Sequence, residues 1–432
     1  MKTKSIACGL LGLALAAPAY SQTVVDITGA TAFRSAAIAA IRAKFAAGGN
    51  YQYAHDAAAN GVSGSTKSIF KGTFQGLAGT TVVRCSFNGS VEGVRALVDA
   101  NYNPEYYQNV AGNFVTAAAS GGGETHKDTA NFAKSVEASQ SEIAFSDVTK
   151  NSTPYASSTL SPATPQCGVV VFTMLTNEGS TITNVTSKQF RALFGTGSQP
   201  LSLFTGVTAD TSLVYAFGRN DGSGTRTTYL AETGFGITNA VNQFMVKTSD
   251  SSAITAIQKI PAGGVGGGIN DATFASTVWG QNVAGNGGYF SGGTLRTEMA
   301  KTAANVTSYE ADGTTPIQEG GKADLVTFVS ISDGANARSS GAVFCSFNGV
   351  KLEGIAASGS SLSAPDKAKV TNGSYTAWSY QQMYARNGAY TGNTKTVYDG
   401  IKAAIPANIG TAGLPVVDMA VSREEDGGVV AP

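Results

Sequence analysis

The hydrophobic positions follow one pattern that recurs along the chain. A short β-rich run is followed by a turn of Gly, Ser or Thr, and then by apolar residues at helical spacing. The first copy is TVVDITG at residues 23–29, followed by TAFRSAAIAAIRAKFAA, in which one helical face carries Phe33, Ala37, Ile41 and Phe45. This copy predicts a strand, a glycine-containing turn and a helix.

Three further stretches show the same pattern. They begin at residues 80, 142 and 212, and read TTVVRCSFNGSVEGVRALVDA, EIAFSDV and SLVYAFGRNDGSGTRTTYLAETG. Repeated strand-to-helix turns are typical of α/β folds, which place their ligands at the carboxyl ends of the strands. The predicted fold class is therefore α/β.

Length and composition add two constraints. The chain has 432 residues, which favours two or three domains, and two lobes are our working hypothesis. Only 13% of its residues are charged, against about 25% in typical domains. The formal net charge is zero, and it becomes minus two (27 bases, 29 acids) if the first 21 residues, with Lys2 and Lys4, are removed. Nothing in this balance favours nucleic acid as a partner.

The N-terminal segment MKTKSIACGLLGLALAAPAYSQ is typical of a cleaved secretory signal peptide. Two lysines precede an apolar stretch that is too short to span a bilayer, and small residues then form an export cleavage pattern after Ala19 or Ser21. We expect residues 1–21 to be removed and the mature protein to be periplasmic or secreted.

Few residues are available for catalysis or metal binding. The two histidines, His55 and His126, lie in polar stretches and are predicted to be solvent-exposed in loops; the chain has neither a GxSxG motif nor a CxxC pair. Neither a catalytic residue nor a metal or cofactor is predicted.

After signal cleavage three cysteines remain, for which we expect one disulfide and one buried thiol, with the pairing among Cys85, Cys167 and Cys345 left open.

The stretch RNDGSGT, residues 219–225, combines features suited to an anion. Its glycines let the backbone curl closely, Ser223 and Thr225 offer hydroxyl and amide donors, and Arg219 adds a planar fork that matches an oxyanion. Taken alone, Gly-Ser-Gly-Thr is also a common helix-capping turn. Other turns must converge on it to form a binding site.

The ordered motifs resemble those of a known family. RNDGSGT resembles the Arg-x-Asp-Gly-Ser-Gly-Thr motif of the phosphate-binding subunit of ABC phosphate importers, a two-lobed periplasmic binding protein of the type II class. In order along the chain, ITGATAFRSAAI, FNGSVEGVRAL and IAFSDV resemble that family's other ligand turns. GVVVFTMLTNEG resembles its crossing strand, and LVTFVSISDGANARSSGAVFCSFNGVKLEG its return crossing. The resemblance covers roughly residues 23 to 390.

The resemblance implies a set of ligand contacts. The phosphate-binding residues would be Thr31, Phe33, Ser90, Asp147, Arg219, Ser223, Gly224 and Thr225, with Ala32, Ser146 and Asp221 in supporting positions. Phe33 would contribute mainly its backbone N–H. Asp147 would accept the proton of hydrogen phosphate, which fully ionised sulfate lacks. Asp221 would either steady the arginine or cap the helix.

The sequence departs from the family pattern at several points. Arg34 stands where the family has proline, and the shorter first turn leaves Thr28 as an alternative to Thr31. A segment of 56 residues, longer than in the family, separates Ser90 from Asp147; it would cover the cleft, bind a partner or decorate the lobe. Arg226, beside the motif, is predicted to be solvated rather than to reach a larger anion.

These observations predict an exported two-lobed binding protein. Lobe 1 would comprise residues 22–168 plus 333–432, and lobe 2 residues 169–332, with the ligand cleft between them. The partners would be inorganic phosphate and the membrane subunits of an ABC importer, and the protein would be a monomer. The alternatives are a secreted enzyme such as a phosphatase on a related fold, and an extracellular adhesion or matrix protein that keeps the fold.

Overall fold

The structure is a computed structural model that describes residues 22–56, 61–114, 135–260, 287–353 and 362–432. The predicted signal peptide and His126 lie outside the described residues. The described strands are β1 Thr23–Gly29, β2 Tyr51–His55, β3 Lys67–Gly72, β4 Thr81–Ser86, β5 Glu105–Tyr107, β6 Val136–Ala138, β7 Ile143–Ser146, β8 Leu160–Ser161, β9 Gln166–Thr176, β10 Asn184–Val185, β11 Ser198–Pro200, β12 Leu213–Ala216, β13 Phe244–Ser249, β14 Ile254–Lys259, β15 Thr307–Tyr309, β16 Pro316–Gln318, β17 Ala323–Ser330, β18 Val343–Phe347 and β19 Trp378–Arg386. The described helices are α1 Arg34–Gly48, α2 Ser90–Val98, α3 Ser187–Thr196, α4 Ser202–Thr205, α5 Gly224–Glu232, α6 Gly292–Met299, α7 Ile331–Ser339, α8 Ala364–Thr371 and α9 Gly392–Asn408. The α/β fold class is confirmed.

One large sheet organises the molecule. Along its main path the strands are ordered β11-β12-β17-β9-β19-β7-β1-β4-β3-β2, and a separate sheet is ordered β13-β14-β15-β16. The central strand β9 pairs through its first half with β19 and through its second half with β17 and β18, antiparallel in each case. Strand β9 therefore joins two halves of the sheet, as expected of a crossing strand.

The predicted lobe boundaries fall within regular elements. The boundary at 168/169 lies inside β9, and the boundary at 332/333 lies in the first turn of α7. The largest cluster of buried apolar side chains includes residues from both halves of the sheet, for example Phe33 and Phe328.

Three of the four predicted strand-turn-helix units form as expected. They are β1 with α1, β4 with α2, and β12 with α5. The fourth differs, because β7 is followed by a single 3₁₀ turn at Lys150–Ser152 and by no α-helix before β8. Strands β1, β4 and β7 run parallel to one another, so their carboxyl ends meet at the same edge of the sheet.

The described ends of the long segment between Ser90 and Asp147 decorate the sheet. They form the antiparallel pair β5 and β6, and Tyr106 and Tyr107 of β5 are buried. Residue Glu137 of β6 contacts Arg84 of β4. Residues 115–134 of this segment lie outside the described residues.

Two predictions about individual side chains are wrong. The three cysteines form no disulfide; Cys85, Cys167 and Cys345 are free thiols buried on β4, β9 and β18. Burial raises the pKa of both Cys85 and Cys345 to about 12. His55 is also buried, because it ends β2, pairs opposite Ser68 of β3 and stacks on Tyr53.

None of the helices in the described ranges combines the length and the apolar character needed to cross a membrane.

Candidate functional site

Four turns meet at the carboxyl ends of the strands. Backbone hydrogen bonds join them: Ala30 N–H donates to Phe145 O at 2.8 Å, Gly89 N–H to Gly29 O at 2.9 Å, and Val91 N–H to Gly222 O at 3.1 Å. These bonds link the turns after β1, β4 and β7 to the turn after β12. The arginine motif therefore lies directly against the other three motifs.

Two glycines permit this close approach. Gly29 has a φ of 115°, and a Cβ there would overlap the carbonyl of Phe145. A Cβ on Gly224 would overlap Asp147 Oδ1 and lie 2.7 Å from Ser90 Cβ. Larger residues at either position would push the turns apart.

Arg219 is the buried cation of the site, with only 2% of its surface exposed. Its guanidinium donates to three neutral oxygens: Tyr289 O at 3.0 Å, Phe290 O at 2.8 Å and Thr31 Oγ1 at 3.3 Å. Burial lowers the pKa of Arg219 to about 10, while the charges of Asp333 and Asp147 act in the opposite direction. No ion pair with a carboxylate within 4 Å involves Arg219 in the described ranges.

Asp147 is the buried carboxyl of the site. Ser90 Oγ donates to its Oδ1, and Thr225 Oγ1 donates to its Oδ2 at 3.5 Å. Burial raises the pKa of Asp147 to about 6, although the Ser90 hydrogen bond and the charge of Arg219 oppose this shift. Ser379 Oγ donates a hydrogen bond to the backbone carbonyl of Asp147. The carboxyl is thus fixed between hydroxyls of two different turns.

Three helices begin at the site. Helix α1 follows its N-cap Phe33, α2 begins at Ser90, and α5 begins at Gly224 after its N-cap Ser223. Ser223 Oγ accepts from Arg226 N at 3.3 Å. Helix N-termini carry partial positive charge and free N–H groups, so their convergence favours a bound anion.

The contacts of the first turn decide between the two candidate threonines, Thr31 and Thr28. Thr28 lies in β1, and its hydroxyl donates to Ser86 O at 2.6 Å and to Asn88 Oδ1 at 2.8 Å. Thr31 instead accepts from Arg219. The geometry therefore places Thr31, rather than Thr28, beside the arginine.

The remaining predicted residues of the first and third turns lie beside the site. Phe33 is fully buried and its ring packs at 6.0 Å from that of Phe145. Ala32 follows Thr31 and is largely buried. Ser146 Oγ donates to Val148 O at 2.7 Å and so shapes the turn that carries Asp147. The structure brings all the predicted positions together, and their roles as ligand contacts stay predictions.

Two predictions about the arginine motif need correction. Arg226 is buried rather than solvated, because its Nη1 donates to the Arg219 carbonyl at 3.3 Å inside the fold. The helix cap is Ser223 and not Asp221. Burial lowers the pKa of Arg226 to about 10, and the charge of Asp221 opposes this shift. The acids whose charges act on Arg219 are instead Asp333 and Asp147.

Sequence reasoning missed three neighbours of Arg219. Tyr289 and Phe290 contribute backbone carbonyls, which carry no sequence signature. Asp333 lies in the first turn of α7 and accepts from Ser330 Oγ at 3.0 Å. Asp333 lies within SISDGANAR, in which a serine caps the start of a helix. This pattern indicates the helix, but it does not indicate that Asp333 lies near Arg219.

A cavity of about 630 Å³ lies beside the site. Thr31 and Ala32 contribute to its lining, together with residues along the whole of α6 and residues of α7. As for metals, the described ranges contain no cluster of three or more His, Cys, Asp or Glu residues that could hold an ion.

No protein-family model matches the chain, and no curated protein matches it significantly. The structure is similar to three solved structures of binding proteins. A putative phosphate ABC transporter substrate-binding protein with bound phosphate from Clostridium perfringens is 11% identical, with a TM-score of 0.42 over 91% of this chain and 100% of that one. An ABC-type phosphate transport receptor from Vibrio cholerae is 11% identical, with a TM-score of 0.38 over 90% and 97%. A phosphate binding protein from Stenotrophomonas maltophilia is 12% identical, with a TM-score of 0.35 over 91% of each chain.

Proposed function

We propose that this protein is an exported solute-binding protein that captures hydrogen phosphate and delivers it to an ABC importer. The observation that carries the proposal is Arg219, a buried guanidinium whose hydrogen bonds to the described residues go to neutral oxygens. A buried charge without a counter-charge is costly. An oxyanion at this position would neutralise it.

The surroundings of Arg219 support an anion that still carries a proton. Donors from Thr31, Ser90, Thr225 and three helix N-termini would surround its oxygens. Asp147 would accept the ligand proton once a hydroxyl that now donates to it turns toward the ligand. Sulfate has no proton to donate, and Asp147 would repel it.

The division into two lobes, residues 22–168 plus 333–432 and residues 169–332, remains part of this proposal. Thr31, Ser90 and Asp147 would lie on lobe 1, and the arginine motif on lobe 2. A ligand that contacts both groups would favour a closed arrangement of the lobes. The proposed location is the periplasm or the extracellular space, and the proposed state is a monomer.

Isothermal titration of the mature chain with phosphate, sulfate and molybdate tests the proposal. We expect binding heat with phosphate at low salt and much less with sulfate; absence of heat with phosphate would overturn the proposal. Asp147→Asn should shift the ratio of the two affinities toward sulfate by at least tenfold. If this ratio stayed unchanged, Asp147 would not distinguish phosphate from sulfate by accepting the ligand proton. Release of phosphate from an aryl phosphate by the pure protein would favour the enzyme alternative instead.

A further inference from the structure

Among the described residues that line it, the cavity beside Thr31 has one more cation than acid. These charged residues are three cations, Arg34, Arg296 and Lys301, and two acids, Glu298 and Asp333. Glu298 lies 3.0 Å from Lys301, and Asp333 lies 3.7 Å from Arg296. Once each acid is paired with its neighbouring cation, Arg34 is left over.

Arg34 is half-buried at the first residue of α1, and no described residue forms a hydrogen bond or an ion pair with its guanidinium. Burial lowers the pKa of Arg34, and the more distant charges of Asp333 and Asp56 raise it. The Asp56 carboxylate is engaged elsewhere, because it accepts from the backbone N–H groups of Thr66 and Lys67 at 2.8 and 2.9 Å.

Two residues that line the cavity lie close to Arg219. Thr31 lines the cavity, and its Oγ1 accepts from Arg219 Nη2 at 3.3 Å. Gly292 lines it as well, and a Cβ at this glycine would lie 3.6 Å from Arg219 Nη1. The cavity volume of about 630 Å³ falls within the range of about 300–1,000 Å³ that is usual for small-molecule sites. A ligand held at Arg219 could therefore extend toward Arg34.

We infer that the site takes a phosphorylated ligand with a second anionic group, which binds at Arg34 while the first phosphoryl group binds at Arg219. The chemical class comprises condensed phosphates and organic phosphates that carry a further acid. The inference rests on the proposed function, because it uses the same Arg219 site. An arginine that lacks a partner offers a fork of donors, and a charged hydrogen bond to it adds both affinity and specificity. Arg34 would thus determine which phosphate compound is preferred.

The test compares three probes by isothermal titration of the mature chain: inorganic phosphate, methyl phosphate and diphosphate. Methyl phosphate enlarges the ligand without adding a second anionic group. We expect diphosphate to bind at least tenfold more tightly than methyl phosphate. Arg34→Ala should lower this ratio at least tenfold, and Arg34→Gln, which keeps the size of the side chain, should lower it similarly. Near-UV circular dichroism checks that both variants are folded.

Lys188→Ala is the matched control, because it removes one exposed positive charge that does not line the cavity. It should leave the ratio unchanged. The inference is overturned if diphosphate binds no more tightly than methyl phosphate, or if Lys188→Ala lowers the ratio as much as Arg34→Ala does. Binding of diphosphate without binding of phosphate would overturn the proposed function alone. Binding of neither would overturn both.

Discussion

Two buried arginines of this protein have opposite surroundings. Arg84 on β4 lies in the outer part of the sheet, where its Nε and Nη2 donate to the two oxygens of Asp26 at 2.6 Å each. Glu137 adds a second carboxylate. Arg219 is buried to a similar degree, yet within the part of the chain that the structure describes it donates to two backbone carbonyls and one hydroxyl.

The pKa shifts follow from this difference. Burial opposes the charge of Arg84, but the hydrogen bonds and charges of Asp26 and Glu137 raise its pKa above the ordinary value. Burial lowers the pKa of Arg219 to about 10, since the charges that act on it lie farther away. Arg84 is therefore neutralised by carboxylates of the protein itself, whereas the proposed function assigns the neutralisation of Arg219 to a bound anion. Substitutions of each arginine can test this difference between a structural role and a proposed binding role.

The largest effect is expected for Arg84→Leu, which leaves Asp26 charged and buried. Breaking a buried ion pair costs about 3–5 kcal/mol in free energy of unfolding. Urea denaturation measures this loss. Because removal of both partners leaves no buried charge, the double variant Arg84→Leu/Asp26→Leu should recover most of it. If the double variant were as unstable as the single one, the loss would come from packing rather than from charge.

Arg219→Leu should weaken phosphate binding strongly and lower the free energy of unfolding only slightly. Truncating a buried partner of a bound charge typically costs about 2–5 kcal/mol of binding free energy, so phosphate affinity should fall by a factor of roughly 30 to several thousand. The free energy of unfolding should fall much less than in Arg84→Leu, because no carboxylate within ion-pairing distance is left unpaired. Titration calorimetry and urea denaturation measure the two quantities. A stability loss as large as that of Arg84→Leu would show that Arg219 is structural too.

Gly224→Ala tests the close packing of the arginine-motif turn against Asp147. The new Cβ would overlap Asp147 Oδ1 and press on Ser90, both of which are held by the fold. We expect a loss of about 1–3 kcal/mol in free energy of unfolding, together with weaker phosphate binding. Gly222→Ala is the matched control, since the atoms nearest to its Cβ would belong to the flexible Glu92 side chain, with Cγ at 2.7 Å. Equal effects of the two substitutions would contradict a special need for glycine at position 224.

The sequence predicts the parts of the fold that depend on local patterns. The units β1–α1, β4–α2 and β12–α5 are each encoded by an apolar run, a glycine turn and helical spacing within about 25 residues. The motif that contains Arg219 is recognisable for the same reason, because its glycines and hydroxyls are consecutive. Convergence of these turns follows from the parallel pairing of β1 with β4 and β7.

What surrounds Arg219 could not be predicted in this way. Its carbonyl partners lie 70 and 71 residues away in sequence, and any residue type presents a carbonyl. The burial of Arg226 depends on the same distant packing. Likewise, three cysteines in a chain with a predicted signal peptide suggest a disulfide, but each is buried on a different strand as a free thiol. Composition could not distinguish a thiol that packs in a core from one that pairs.

The smallest expected effect concerns Asp147, the buried carboxyl whose charge acts on Arg219. Burial raises its pKa from 3.8 to about 6, so its protonated form is the one that stabilises the fold. This stabilisation is complete below about pH 3.8 and is lost as the pH rises through about 6, so on the order of 1–2 kcal/mol should disappear between pH 5 and pH 8. Asp147→Asn cannot ionise at this position, so the variant should lose less stability than the wild type over that interval. Urea denaturation of both proteins at pH 5 and pH 8, without phosphate, measures the difference. An identical pH dependence would mean that Asp147 is already ionised at pH 5 and that its burial does not raise its pKa.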